Sequence, residues 1–101
     1  MYLAVEGGAP VGYVYAEVLT RPETWFRPAH RVVYLHHLCV GRRHRGRGHG
    51  TRLVQAVVAL AQAHGVALVE PDTWWFNADA RAFFARAGFT PLNLRMERRV
   101  M

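Results

Sequence analysis

Val40–Gln55 reads VGRRHRGRGHGTRLVQ. Six Arg and His residues crowd between Arg42 and His49, glycines alternate at positions 46, 48 and 50, and an apolar helical pattern starts at Leu53. The stretch passes from a loop with much positive charge and little side chain into a helix. Backbone N–H groups in a first helical turn are unpaired and point along the positive end of the helix dipole, so a phosphate is a natural guest there. Gly46, Gly48 and Gly50 let the backbone approach such a guest, and Arg45 and Arg47 can fork onto its oxygens. The spacing is G-x-G-x-G; the dinucleotide fingerprint G-x-G-x-x-G would need glycine where Thr51 stands. From these residues alone, an anion cradle and a solvated basic turn fit about equally well.

Working outward, Arg31–Val40 (RVVYLHHLCV) is rich in β-branched and aromatic residues and reads as a central strand. Beyond the loop, Leu53, Val54, Val57, Val58, Leu60 and Ala61 fall at helical spacing, and His64-Gly65 ends the helix. VALVEPDTW, residues 66–74, is the next strand. Strand, loop, helix and strand make a βαβ unit, which implies parallel neighbours and a right-handed crossover. Upstream, YLAVEGG and VGYVYAEVL are strand patterns around a hairpin at Gly7-Gly8-Ala9-Pro10, and Thr20–His30, with two prolines, is a loop. Downstream, Asn77 can cap a helix over Ala78–Ala87 that stops at Gly88, and NLRMERRV (residues 93–100) is a last strand. The order β-β-β-α-β-α-β predicts an α/β (α+β) fold. Its sheet is mixed and mostly antiparallel, with a central parallel βαβ unit.

The chain has 101 residues, of which 51% are apolar, enough for one domain with a modest core. No apolar run approaches the roughly eighteen residues of a membrane span. MYLAVEGGAP has no basic leader followed by an apolar stretch, which argues against secretion. Cys39 is the sole cysteine, so no internal disulfide forms, and a reducing, cytoplasmic setting is the simplest expectation. All 13 basic residues are Arg. Without Lys, a Walker-type GK[ST] loop and Schiff-base catalysis are excluded. A net charge of +6 favours anionic partners.

Two segments together resemble the GNAT acetyltransferase superfamily. Arg45-Gly46-Arg47-Gly48-His49-Gly50 matches its R/Q-x-x-G-x-G/A signature, and NADARAFFARAGF (Asn77–Phe89) is similar to its N-x-x-A-x-x-F-Y-x-x-x-G-F segment. The resemblance runs from Tyr2 to about Val100 and implies a single GNAT-like domain over residues 1–101. It implies acetyl transfer from acetyl-CoA to a primary amine. It further implies that the backbone amides from Arg45 to Gly50, with Thr51 following, hold the coenzyme A pyrophosphate. By the same resemblance, the backbone of Leu38, Cys39 and Val40 binds the pantetheine arm and acetyl carbonyl, and Asn77 touches the arm. Where the family often places a Tyr beside the cofactor sulfur to protonate the leaving thiolate, this chain has Phe84. A thiol pKa of about 8.5 makes an unprotonated leaving group tolerable. Loss of that acid then slows the reaction, or the domain binds coenzyme A without catalysis.

An amine acceptor must lose a proton before attacking a thioester. His36 matches the position of a histidine in the arylalkylamine acetyltransferase branch, and an imidazole suits the task. Strand alternation puts His36 on a face with Tyr34, Leu38 and Val40. A packed sheet histidine is the bland alternative, and Glu70, Asp72 or water are alternative bases. Pro71 between the two acids fits the gap where, by resemblance, the parallel strands splay for the cofactor. Trp74, Trp75 and Phe76 read as core and cleft wall, while Trp25 and Phe26 fall by resemblance near the acceptor. His37 and Cys39 with His44 or His49 lack C-x-x-C or H-x-x-x-H spacing, so no metal is expected.

A small nucleic-acid-binding module would explain the Arg/Gly stretch but not Asn77–Phe89. The family usually opens with a strand and two helices that have no counterpart before Tyr2. Both faces of the central strand read apolar, with Val33, Leu35 and Cys39 on one and Val32, Leu38 and Val40 on the other. The expectation is an N-terminally incomplete domain or a homodimer that covers the exposed face.

Overall fold

The computed structural model describes the whole chain, Met1–Met101. Strands β1 (Tyr2–Glu6) and β2 (Ala9–Arg21) form an antiparallel hairpin. Gly7 and Gly8, with φ of 60° and 82°, make its tight two-residue turn. Strand β2 runs antiparallel along β3 (His30–Val40), and β3 pairs parallel with β4 (Val69–Pro71), giving the order β1-β2-β3-β4. Helix α1 (His49–Ala63) is the crossover from β3 to β4, and α2 (Ala78–Arg86) follows. The mixed sheet with one parallel crossover is the expected architecture. Two expected strands differ. The strand at residues 66–74 shrinks to Val69–Pro71: its ladder with β3 ends at the Leu35–Pro71 pair, where β3 bulges at His36. Residues 93–100 form no strand at all.

One sheet face carries the core. The buried side chains of Leu53, Val57 and Ala61 on α1 pack on Val14, Val33 and Leu35, with Val66 closing the end. Each such buried Val or Leu contributes about 1.5–3 kcal/mol. The opposite face has no helix over it.

A bulge in β3 sets which residues share a face. Tyr15 pairs with His37 and Ala16 with Leu35, so His36 is the extra residue. Beyond the bulge the alternation flips, and Leu38 and Val40 join Val33 and Leu35 against the α1 core. His36 therefore keeps Tyr34 as a face neighbour but loses Leu38 and Val40, contrary to simple alternation. On the other face of β3 Val32 is buried, and Tyr34, His36, His37 and Cys39 make a mixed surface rather than a continuous apolar one.

Both helices stop by the same device. After α1, Gly65 N–H donates to Gln62 C=O at 3.1 Å and Val66 N–H to Ala61 C=O at 2.9 Å. After α2, Gly88 (φ 95°) donates to Ala85 C=O at 3.1 Å and Phe89 to Phe84 C=O at 3.0 Å. These are the paired bonds of a Schellman cap, and the Phe84 and Phe89 rings, 5.5 Å apart and edge-on, supply its hydrophobic contact. At the other end of α2, Asn77 Oδ1 accepts from Ala80 N–H at 3.1 Å.

Candidate functional site

Strand β3 pairs with β4 only from Val33 to Leu35, yet continues to Val40. From His36 to Val40, the side of β3 away from β2 has no strand against it. Leu38, Gly50 and Phe83 meet beside that unpaired stretch: a Cβ on Gly50 would meet the Phe83 ring at 3.1 Å and Leu38 Cδ2 at 3.9 Å. Gly50 is thus where α2 packs on the first turn of α1. Phe83, rather than Phe84, makes that contact, while Phe84 packs edge-on against Phe83 and Phe89.

The basic loop runs from the end of β3 through a short 3-10 turn (Arg42–His44) to α1. The N–H groups of Arg45, Gly46, Arg47 and Gly48 find no acceptor in the protein, and α1 has no side-chain N-cap. His49, Gly50 and Thr51 add the orphan donors of the first helical turn. Gly46 (φ 78°) and Gly48 (φ 82°) hold the left-handed conformation that shapes this cradle.

The arginines beside the cradle are engaged. Arg45 Nε donates to Val40 C=O at 3.1 Å, and Arg47 pairs with Glu6. Glu6, at the end of β1, also meets His44 Nδ1 at 3.2 Å and His49 Nε2 at 3.0 Å. One carboxylate therefore ties His44 ahead of the glycines, Arg47 between them and His49, the first residue of α1. The hydrogen bond from His49, helped by His44 and the Arg47 charge, holds the Glu6 carboxyl below the usual carboxylate range against a smaller opposing effect of desolvation. Arg52 adds a bond to Arg47 C=O at 3.0 Å. Sequence reasoning missed Glu6, because its partners lie 38 to 43 residues away.

The uncovered face carries the titratable groups. His36 Nε2 lies 2.6 Å from Glu17 Oε1, and its ring sits 5.1 Å from Tyr15 and 4.7 Å from Tyr34. Glu70 accepts from Arg21 at 3.1 Å, and Tyr34 O–H donates to Asp72. That bond to Asp72, with desolvation, raises the Tyr34 pKa, so the phenol stays protonated at neutral pH. Glu70 and Asp72 are both occupied, whereas His36 has one ring nitrogen tied to Glu17 and the other without a partner in the protein. Trp74, Trp75 and Phe76 are 75%, 64% and 80% exposed, so they are not core. Cys39 is exposed, and no cluster of His, Cys, Asp or Glu is arranged to hold a metal. No helix is long and apolar enough to cross a membrane.

Residues 1–89 match the acetyltransferase (GNAT) family model. No protein of curated function matches the sequence. Among solved structures, a tetramutant of the BH1408 protein from Bacillus halodurans superimposes with a TM-score of 0.89 at 25% identity, over 97% of this chain and 64% of that one. The aminoglycoside N-acetyltransferase AAC(6')-Iy in complex with CoA gives 0.83 at 21% identity, over 98% of this chain and 73% of that one. Glucosamine-6-phosphate N-acetyltransferase from Arabidopsis thaliana gives 0.71 at 15% identity, over 93% and 60%. The chain thus spans about two thirds of the length of these similar proteins.

Proposed function

Because the chain belongs to the GNAT acetyltransferase family, we propose that it transfers an acetyl group from acetyl-CoA to a primary amine by direct attack. The observation that carries this reading is the run of unsatisfied amides from Arg45 to Gly48 at the start of α1, opening beside the unpaired end of β3. Acetyl-CoA supplies the thioester whose carbonyl the amine attacks and whose thiolate leaves.

The residues divide that work. Backbone N–H groups from Arg45 to Thr51 hold the pyrophosphate, where preorganised dipoles act at no reorganisation cost. Backbone groups of Leu38, on the unpaired side of β3, orient the pantetheine arm and the acetyl carbonyl, while Cys39 C=O faces Gly12 of β2 and lines the arm from within the sheet. Val40 C=O takes part once Arg45 turns from it toward phosphate. Asn77 Oδ1 is used by the helix cap, so its amide NH₂ is the group free for the arm. His36 takes the amine proton, held in orientation by Glu17. No proton donor stands at Phe84, so the thiolate leaves unassisted. The acceptor is a small amine or a protein amine, in line with the amino-sugar acetyltransferases among the similar structures.

Calorimetry with coenzyme A and free-thiol release with a panel of amines test the proposal. Binding with thiol release supports it. Binding without release leaves a coenzyme A-binding domain, a reading that Phe84 favours. Nucleic-acid binding without coenzyme A affinity overturns it.

A further inference from the structure

Three aromatic rings in a row, Trp74, Trp75 and Phe76, stand in solvent between β4 and α2. Their backbone is nevertheless held. Trp74 C=O accepts from Asn77 N–H at 3.0 Å, Phe76 C=O from Ala78 N–H at 3.0 Å and Trp75 C=O from Arg81 Nε at 2.7 Å. The Trp74 and Phe76 rings lie 6.0 Å apart and within 20° of parallel, while the Arg81 guanidinium sits 4.4 Å over the Trp75 ring. A fixed aromatic platform left open to water is the form of a binding surface.

The platform adjoins the candidate base. Asp72, two residues before Trp74, accepts from Tyr34, whose ring lies 4.7 Å from that of His36. The charges around His36 suit one ammonium group. Arg21 donates to Glu70 at 3.1 Å and cancels its charge. Glu17 is bonded to His36 and pairs with the imidazolium formed when His36 takes a proton. Asp72, bonded to a neutral phenol, is the one carboxylate of the three left without a cation. A second positive group on the acceptor finds no further carboxylate to neutralise on the uncovered sheet face. Nearer the platform it meets the like charge of Arg81, which is in no salt bridge.

We propose that the acceptor carries a single primary amine on an aromatic body: its ammonium enters beside Asp72 and His36, and its ring lies on the platform of Trp74 and Phe76. This rests on the acetyl-transfer reading and names the class of amine. A free aromatic amine and the N-terminal phenylalanine of a peptide share that chemistry. Trp74 and Phe76 select the acceptor and take no part in moving its proton.

Free-thiol release from acetyl-CoA compares 2-phenylethylamine and a short peptide beginning with phenylalanine against glucosamine, spermidine and methylamine. At least one aromatic amine should exceed glucosamine and spermidine about tenfold or more in kcat/KM, and which of the two does so identifies its source. The double variant Trp74→Ala/Phe76→Ala alters only exposed side chains, so its far-ultraviolet circular dichroism should match the parent's. It should raise the KM for the aromatic amine about tenfold, and those for methylamine and acetyl-CoA far less. Glucosamine or spermidine as the better acceptor overturns the inference. So does a double variant with an unchanged KM, or one whose KM rises equally for methylamine or chiefly for acetyl-CoA. Absence of thiol release with every amine would instead remove the acetyl-transfer reading. Calorimetry on the coenzyme A-loaded chain still decides the platform's ligand in that event. 2-Phenylethylamine should bind more tightly than spermidine and lose that advantage in the double variant; no binding, or tighter binding of spermidine, overturns the inference.

Discussion

Gly48 is the residue on which the cradle depends. At φ 82° an L side chain is strained, although the nearest atom to a Cβ there, on Arg52, is only at contact distance, 3.4 Å. Substitution therefore disturbs backbone conformation rather than packing. Gly48→Val should leave the sheet core intact and abolish coenzyme A binding by calorimetry. Glu6 acts on the same loop from a distance. Glu6→Ala should raise the KM for acetyl-CoA with little change in kcat, because the carboxylate holds the loop and touches no reacting atom. Its depressed pKa fixes the sign of the pH effect. The stabilisation is present above the ordinary carboxylate value near 4.5 and is lost as pH falls through the lower folded value. Acid should thus loosen the loop in the parent and not in Glu6→Ala, as hydrogen exchange at Gly46–Gly48 would report. His36→Ala should cost about 10²–10⁴-fold in kcat/KM if the imidazole is the base. An unchanged rate and pH profile would move that role to water. At this scale the sequence displayed the glycines and His36, but not the clamp on the loop or the bulge. Both arise from register between distant segments.

At the scale of elements, the helices were legible because their signals are local. Apolar spacing, Asn77 and the Gly88-Phe89 stop each act within one or two turns. The Gly-Phe pair that contributes to the family resemblance is, in physical terms, a Schellman cap with its hydrophobic contact. Asn77→Ala should lower stability by about 1 kcal/mol in denaturant unfolding, and Asn77→Asp should restore the cap. If the Asn77 NH₂ also reaches the cofactor, Asn77→Asp will regain stability but not coenzyme A affinity. The strands were less legible. Their pairing is decided by neighbours, and β4 ends beside the β3 bulge where composition alone suggested a longer run. Gly12 shows how tight the β2–β3 pairing is, since a Cβ there would come within 2.7 Å of Cys39 C=O. Gly12→Ala should push β3 away at the very residues assigned to the pantetheine arm. It should lower thermal stability and coenzyme A affinity together.

Across the whole molecule, charge is divided by position. Five of the 13 arginines (Arg42, Arg43, Arg45, Arg47 and Arg52) cluster at the start of α1, while Glu17, Glu70 and Asp72 lie on the uncovered sheet face. An anionic ligand is steered to one region and a cationic amine is tolerated at the other. Only 11 of 101 residues are buried, so a bound ligand adds appreciably to a small core's stability. At a hundredfold excess over Kd, coenzyme A should contribute about 2.7 kcal/mol, and a domain of this size gains roughly 4–8 °C per kcal/mol. A Tm shift of roughly 10–20 °C follows. Its salt dependence separates the two kinds of donor in the loop. Guanidinium groups such as Arg45 act across solvent and are screened as the Debye length falls from about 10 Å at 0.1 M to about 3 Å at 1 M. Backbone amides in contact with phosphate are screened far less. The shift should therefore shrink with salt yet persist, and shrink less in Arg45→Ala than in the parent. A shift that vanished entirely at high salt would assign the binding to arginine side chains alone. That is the behaviour of a nucleic-acid-binding patch, not of an amide cradle.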